Sequence, residues 1–172
     1  MMLPPVIPIR RLEPRDVENA AWICNTSITR GESTHGPGSI PSEQLRAELL
    51  DAPAQFESYV CDGGGGVMAG WAALMRHTHR DIYDTVAELT VFVADEHRRR
   101  GIGRALVQHA LERASELGFR VLLLILQPEP AYALAWAFRL GFRNVGGLPC
   151  VLPVGEQWRD ILVFVRYMKG AL

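Results

Sequence analysis

The residues of this chain best suited to chemistry stand close together. Glu88 is the only charged residue between Val86 and Val93, inside the apolar run VAELTVFV. A carboxyl group carried into a buried strand is desolvated, which raises its pKa toward the range of a working general base. The other reading of Glu88 is a buried acid paired with an arginine, for which Arg80 and Arg139 are candidates. A few residues on, Arg98, Arg99, Arg100, Gly101, Ile102, Gly103 and Arg104 open an amphipathic helix. Cations at a helix N-terminus oppose its dipole, each by roughly 0.3–1 kcal/mol when exposed. Arginines crowded there make sense if an anion sits among them, because the first turn of a helix offers N–H groups with no helical acceptor. Glycines let such a ligand come close to the backbone. The segment reads as a pyrophosphate cradle.

Competing nucleotide motifs fit poorly. A dinucleotide fingerprint needs a third glycine where this chain has Leu106, and a Walker A loop needs Gly-Lys-Ser/Thr where it has Gly103-Arg104-Ala105. The run Gly63 to Gly66 is followed by a strand pattern rather than a helix, so it reads as a turn. Arg80 suits bidentate pairing with an acceptor carboxylate, and Tyr83 would line the same pocket. Glu32, Ser33, Thr34 and His35 are polar groups of the kind that line a cleft. His77 and His79 alternate in a metal-like spacing but lack a third ligand, so they read as strand-end or loop histidines and no metal is expected.

These residues need elements to position them. The pattern predicts a strand over Val6 to Leu12, then a helix opened by Pro14-Arg15-Asp16 with Val17, Ala20, Ala21, Ile23, Cys24 and Ile28 on its apolar positions. A loop over Gly31 to Pro41 leads to a short helix from Ser42, as N-cap, to about Leu50. Strands follow over Phe56 to Cys61, Val67 to Met75 and Val86 to Val93. The helix from Gly101 to Leu117 places Leu106, Ala110, Ala114 and Leu117 on one face, with Gly118 as its stop. Val121 to Leu126 is apolar throughout, as expected of a strand covered on both faces. A helix over Pro130 to Leu140 would bury Trp136, Phe138 and Leu140, with Tyr132 packed against it. Two tail strands, about 144–152 and 158–168, would form a long hairpin. The order predicts an α/β (α+β) layout with a mixed sheet and a strand–helix–strand crossover.

With 172 residues, 48% of them hydrophobic, and no composition break, residues 1–172 are expected to form one domain. A net charge of −1 argues against a general nucleic-acid or membrane-surface binder. Cys24, Cys61 and Cys150 match no zinc or disulfide framework and suit a reducing, cytoplasmic setting. The opening MMLPPVIPIR is broken by prolines and reads as neither a signal h-region nor a membrane span.

The pattern Arg-x-x-Gly-x-Gly, met by Arg98, Gly101 and Gly103 between an apolar strand and a helix, resembles the coenzyme A site of the GNAT superfamily of N-acetyltransferases. The resemblance runs over nearly the whole chain and is closest to the phosphinothricin (methionine sulfoximine) acetyltransferase family. Asn25 and Ile28 match its first helix. Arg80, Tyr83, Glu88, Val91 and Val93 match its Arg-x-x-Tyr and Glu-x-x-Val-x-Val segments. RLGFRNVG, with Trp158 and Asp160, matches its helix end and final strand. The resemblance implies a GNAT fold, a central mixed twisted sheet of about seven strands flanked by about four helices. It implies acetyl-CoA as co-substrate, with the backbone of Val91, Phe92 and Val93 pairing with the pantetheine arm and the turn from Arg98 to Arg104 holding the pyrophosphate. It makes Glu88 the catalytic base for direct attack by the acceptor amine, places Thr34 on the loop over the acceptor beside Arg80 and Tyr83, and implies a homodimer. The acceptor would be an amino acid or an analogue such as phosphinothricin or methionine sulfoximine. The chain departs from the family at Pro130 and Ala137, where an asparagine and a tyrosine or histidine are usual, and at Val154, where a lysine is common. These departures keep two alternatives open, a non-catalytic acyl-CoA-binding domain and a protein or peptide N-terminal acetyltransferase.

Overall fold

The computed structural model describes residues 7–168. Its strands are β1 (Ile9–Arg11), β2 (Ser58–Asp62), β3 (Met68–Arg76), β4 (Val86–Val93), β5 (Val121–Leu126), β6 (Arg143–Val154) and β7 (Gln157–Tyr167). Its helices are α1 (Val17–Thr29), α2 (Ser42–Leu50), α3 (Ile102–Glu116) and α4 (Ala131–Arg139). The strands form one seven-stranded sheet in the order β1-β2-β3-β4-β5-β7-β6. Only β4 and β5 run parallel; the other neighbours are antiparallel. This is the mixed α/β sheet expected from the element order, and α3 supplies the crossover that a parallel pair requires. Among the described residues, no helix is long and apolar enough to cross a membrane. Val6, the expected start of the first strand, lies outside the described residues.

Strand alternation divides the sheet between two cores. Ala87 and Leu89 of β4 pack with Leu106, Ala110 and Ala114 of α3 and with Ala137 of α4. On the opposite face Phe92 packs with Trp71, with Ala20 and Cys24 of α1 and with Leu45 and Leu49 of α2. The indole N–H of Trp71 donates to the carbonyl of Ala20 at 3.0 Å, which offsets the desolvation of the largest fully buried side chain. Asn25 fixes the far end of the loop after α1: its amide donates to Ile40 O at 3.0 Å and its carbonyl accepts from Ile40 N at 2.7 Å.

Three expectations are corrected here. Pro41, not Ser42, is the residue before α2; the Ser42 hydroxyl instead donates to Glu18 of α1 at 2.8 Å. β5 is not covered on both faces: Leu122 and Leu124 are buried beneath the helices, while Val121, Leu123 and Ile125 on the other face are only partly buried. In α4 the buried residue is Ala137, while Phe138 is 56% exposed, Trp136 and Leu140 are partly buried, and Tyr132 is exposed. A 100° step per residue separates Phe138 from Ala137, and Phe138 is left at the rim against Phe164 with ring centres 5.4 Å apart. β6 and β7 pair as the expected long hairpin, and β7 also pairs with β5, which joins the hairpin to the rest of the seven-stranded sheet.

Candidate active site

Parallel pairing of β4 with β5 covers only Val86–Val121, Ala87–Leu122 and Glu88–Leu123. Beyond Glu88 the two strands part. The fork leaves a narrow cleft of about 120 Å³ between Leu89–Phe92 on one side and Leu124–Gln127 on the other. Backbone groups of β4 that would have met β5 are left for another partner, since buried N–H and C=O groups require one. Glu88 stands at the crotch of the fork. Burial pushes its carboxyl above the ordinary carboxylate range, and His77 opposes this only in part.

At the donor end, β4 runs into a short helical turn, Asp95–His97, and then a curl in which Arg99 and Gly101 adopt left-handed φ angles of +59° and +83°. Left-handed residues in such a turn aim successive N–H groups at one point. The amides of Gly101, Ile102, Gly103 and Arg104 have no helical acceptor and no side chain caps them. A Cβ on Gly103 would touch only Val93 Cγ2 at 3.4 Å, so this glycine serves access rather than packing. The curl therefore fits a pyrophosphate. Arg99, Arg100 and Gly101 are exposed there. The Arg98 guanidinium is otherwise engaged: it meets Glu32 at 2.7 Å and Asp95 at 3.0 Å.

A second cavity of about 580 Å³ opens on the same face of the sheet as Glu88. Val86, Val121 and Leu123 form its apolar floor, and His77, Thr78, Arg80 and Tyr83 its polar wall. The turn that carries Arg80 and Tyr83 is fixed by Arg76, which donates to Asp84 at 2.8 and 3.1 Å and to Asp81 at 2.5 Å. Thr34 is not in this cavity. It lines the narrow cleft with Glu32, Ser33 and His35, as the polar character of that loop suggested. The His35 ring packs edge-on against Phe92, and burial lowers its pKa, keeping it neutral.

Glu88 has neither Arg80 nor Arg139 as its partner. Arg139 donates to the carbonyl of Ala135, and it is His77 that faces Glu88, with Nδ1 3.9 Å from Oε2. Gln127 and Arg159 were not singled out in the sequence. Gln127 is buried, and its amide donates to Gly31 O at 2.7 Å and Ser33 O at 3.3 Å, while Arg159 donates to Gln127 Oε1 at 3.1 Å and Gly31 O at 3.3 Å. Together they bind the loop over the cleft to β5 and β7. The available signal was a polar residue ending an apolar strand, where burial demands a partner. Pro130 and Ala133 line the late-helix side of the cleft, and Ala137 is fully buried, so neither Pro130 nor Ala137 offers a proton there. No cluster of potential metal ligands occurs among the described residues.

Known proteins resemble this chain in sequence and in fold. The sequence profile of the acetyltransferase (GNAT) family matches residues 20–142. The Bacillus subtilis (strain 168) protein YwnH, named as a candidate phosphinothricin acetyltransferase, is 25% identical over 161 residues, covering 94% of this chain and 99% of its own. An L-methionine sulfoximine/L-methionine sulfone acetyltransferase of Pseudomonas paraeruginosa (strain DSM 24068 / PA7) is 28% identical over 118 residues, covering 67% of this chain and 69% of its own. A phosphinothricin acetyltransferase from Sinorhizobium meliloti, solved in complex with acetyl-CoA, superposes with a TM-score of 0.86 at 20% identity, covering 94% of this chain and 88% of the other. At that identity the superposition speaks for the fold alone.

Proposed function

The chain belongs to the acetyltransferase (GNAT) family, and from that premise we propose that it moves an acetyl group from acetyl-CoA to the amine of a small acceptor. The acceptor class we favour is an amino acid or a close analogue such as phosphinothricin or methionine sulfoximine, the chemistry named for its relatives. The observation that carries this reading is the fork. It sets Glu88 on the wall of the cleft between β4 and β5, on the same face of the sheet as the Val86, Val121 and Leu123 floor of the Arg80 and Tyr83 cavity.

Acetyl-CoA supplies an activated thioester carbonyl and a leaving group that ionises near pH 8.5 as a free thiol. This chain's residues do the rest. The amides of the curl, with Arg99, Arg100 and Arg104 around them, would hold the pyrophosphate, and the β4 edge at Val91, Phe92 and Val93 would pair with the extended arm. Arg80 would take the acceptor carboxylate in a bidentate grip, with Tyr83 beside it and Val86, Val121 and Leu123 under its apolar part. Glu88 would take the proton of the acceptor ammonium, freeing the lone pair for direct attack. Backbone N–H groups from Leu89 to Val91 would polarise the carbonyl. The departing thiolate sulfur would take up the second N–H proton of the tetrahedral adduct, so that coenzyme A leaves as the thiol and one proton stays on Glu88. No side-chain donor is needed, which is consistent with a site that has Pro130 and Ala137 in the late helix.

We also propose a homodimer through the tail strands, on the ground that Val145, Leu148, Val151, Trp158 and Tyr167 leave that arm unusually apolar for a free surface. The decisive experiment is an acceptor screen that measures coenzyme A release over amino acids, methionine sulfoximine, phosphinothricin and short peptides. Release with amino acids or their analogues supports the proposal. Release with peptides alone moves the acceptor class, and acetyl-CoA binding without release to any acceptor would leave a binding domain.

A further inference from the structure

Glu88 has a problem that the proposed reaction does not solve by itself. Each amine that arrives as an ammonium leaves one proton on the carboxylate, and a largely buried acid must shed it before the next turnover. The strand register supplies a route. Met75 of β3 lies opposite Glu88, and His77, two residues further, falls on the same side of the sheet just past the end of β3. Its Nδ1 is 3.9 Å from Glu88 Oε2, one bridging water or a small rotation away from a hydrogen bond. Glu88 lines the narrow cleft, whereas His77 lines the larger cavity, and the His77 side chain is 43% exposed against 23% for Glu88. The pair thus spans the wall between the two spaces.

We propose that His77 is the proton outlet of Glu88, a residue that acts through the base and touches neither reacting group. This rests on the reading of Glu88 as the base. The step balances simply. The acceptor ammonium gives its proton to the Glu88 carboxylate, Glu88 passes that proton to Nδ1 of His77, and the resulting imidazolium releases the proton on Nε2 to solvent in the cavity. His77 ends in the other tautomer and resets by ordinary exchange with water. An imidazole is suited to this because it changes charge near neutral pH.

The other groups around the pair do not serve. His35, on the loop over the cleft, is partly buried, has its pKa lowered by desolvation, and is turned toward Ser33 and Phe92. Glu48, from α2, adds negative charge that pushes the Glu88 carboxyl further up. Arg80 and Tyr83 line the same cavity as His77 and are assigned to the acceptor in the proposed function.

The test compares His77→Phe and His77→Gln with the unmodified chain, on whichever acceptor gives the fastest coenzyme A release. The expected result is a kcat lowered about tenfold or more in both variants, with acetyl-CoA affinity by calorimetry unchanged, and concentration-dependent recovery of His77→Phe by imidazole in the buffer. A side chain that merely packs would not be replaced by free imidazole. Full kcat in both variants from about pH 6 to about pH 9 would overturn the proposal, as would a loss that imidazole leaves untouched. If the unmodified chain turns over and Glu88→Gln does not, those outcomes remove His77 alone. If the unmodified chain releases no coenzyme A on any acceptor, the proposed function and the outlet fall together.

Discussion

The Arg98 guanidinium meets the Glu32 carboxylate at 2.7 Å, joining the turn that starts α3 to the loop over the narrow cleft. Arg98 also meets Asp95 at 3.0 Å, and Arg30 at the end of α1 pairs with the same aspartate. The arginine that leads the anion-binding motif is therefore also a strut between the two halves of the proposed site. Its charge is matched locally by these two acids, so in the proposed site the backbone amides and the exposed Arg99 and Arg100 would be the groups to meet phosphate.

Because both partners are partly exposed, the Arg98–Glu32 pair should be worth only about 0.2–1 kcal/mol. A double-mutant cycle of Arg98→Gln and Glu32→Gln in urea unfolding is expected to give a coupling energy in that range. A coupling of zero would show that the two side chains do not hold each other in solution.

Glu88→Gln should lower kcat by about 10²–10⁴ while leaving acetyl-CoA affinity unchanged. Since burial holds the Glu88 carboxyl above the ordinary carboxylate range, activity of the unmodified chain should climb as pH rises through that raised value. The residual activity of Glu88→Gln should lack that limb. Identical pH–rate profiles for the two proteins would take Glu88 out of the reaction.

Away from the site, Arg113 grips Glu57 with two hydrogen bonds of 3.0 Å, and Arg11 and the Tyr59 hydroxyl join them. Burial pushes the Glu57 carboxyl up, but the hydrogen bonds from Arg113 and Tyr59 and the charge of Arg11 outweigh it and hold the pKa at about 2. A depressed carboxyl contributes stability that is fully present above its unfolded pKa, near 4.3, and is lost as pH falls toward the folded value. Urea unfolding should therefore weaken between about pH 4.3 and about pH 2. Glu57→Gln should cost about 2 kcal/mol at neutral pH and flatten that acid slope. An unchanged slope would mean that other carboxylates control it.

Gln127→Leu removes the buried donor that holds the carbonyls of Gly31 and Ser33. Leaving buried acceptors short of a partner costs about 1–3 kcal/mol. Thermal unfolding should report that loss, and steady-state kinetics should show a raised KM for the acceptor with a smaller change in kcat. A variant as stable as the unmodified chain, with the same KM, would contradict the anchoring role.

How far the sequence could be read depended on the range of the interactions. The bounds of β4 follow from one apolar run that carries one acid, and those of α3 from a glycine at each end and a regular apolar stripe; both are local signals. The partner of Glu88 was not local. It depends on Met75 lying opposite Glu88, a register set by packing across the sheet. The same holds for Gln127, whose acceptors lie about 95 residues earlier in the chain. Phe138 was misplaced because an apolar side chain on a short helix does not say by itself which way the helix turns, and here the small Ala137 takes the buried side. The entry of β7 between β5 and β6 is likewise a matter of topology that no pattern within those strands records.

The parallel contact between β4 and β5 is three residue pairs long. In mechanical terms the sheet is two sheets, β1 to β4 and β5 to β7 with β6, welded at one end and gaping at the other. An extended molecule that lies along the open edge of β4 does what a missing strand would do. It closes the ladder, braces the gap and turns two plates into one. Loading of the cleft should therefore register far from it, as slower amide hydrogen exchange along β4 and β5 on both sides of the weld.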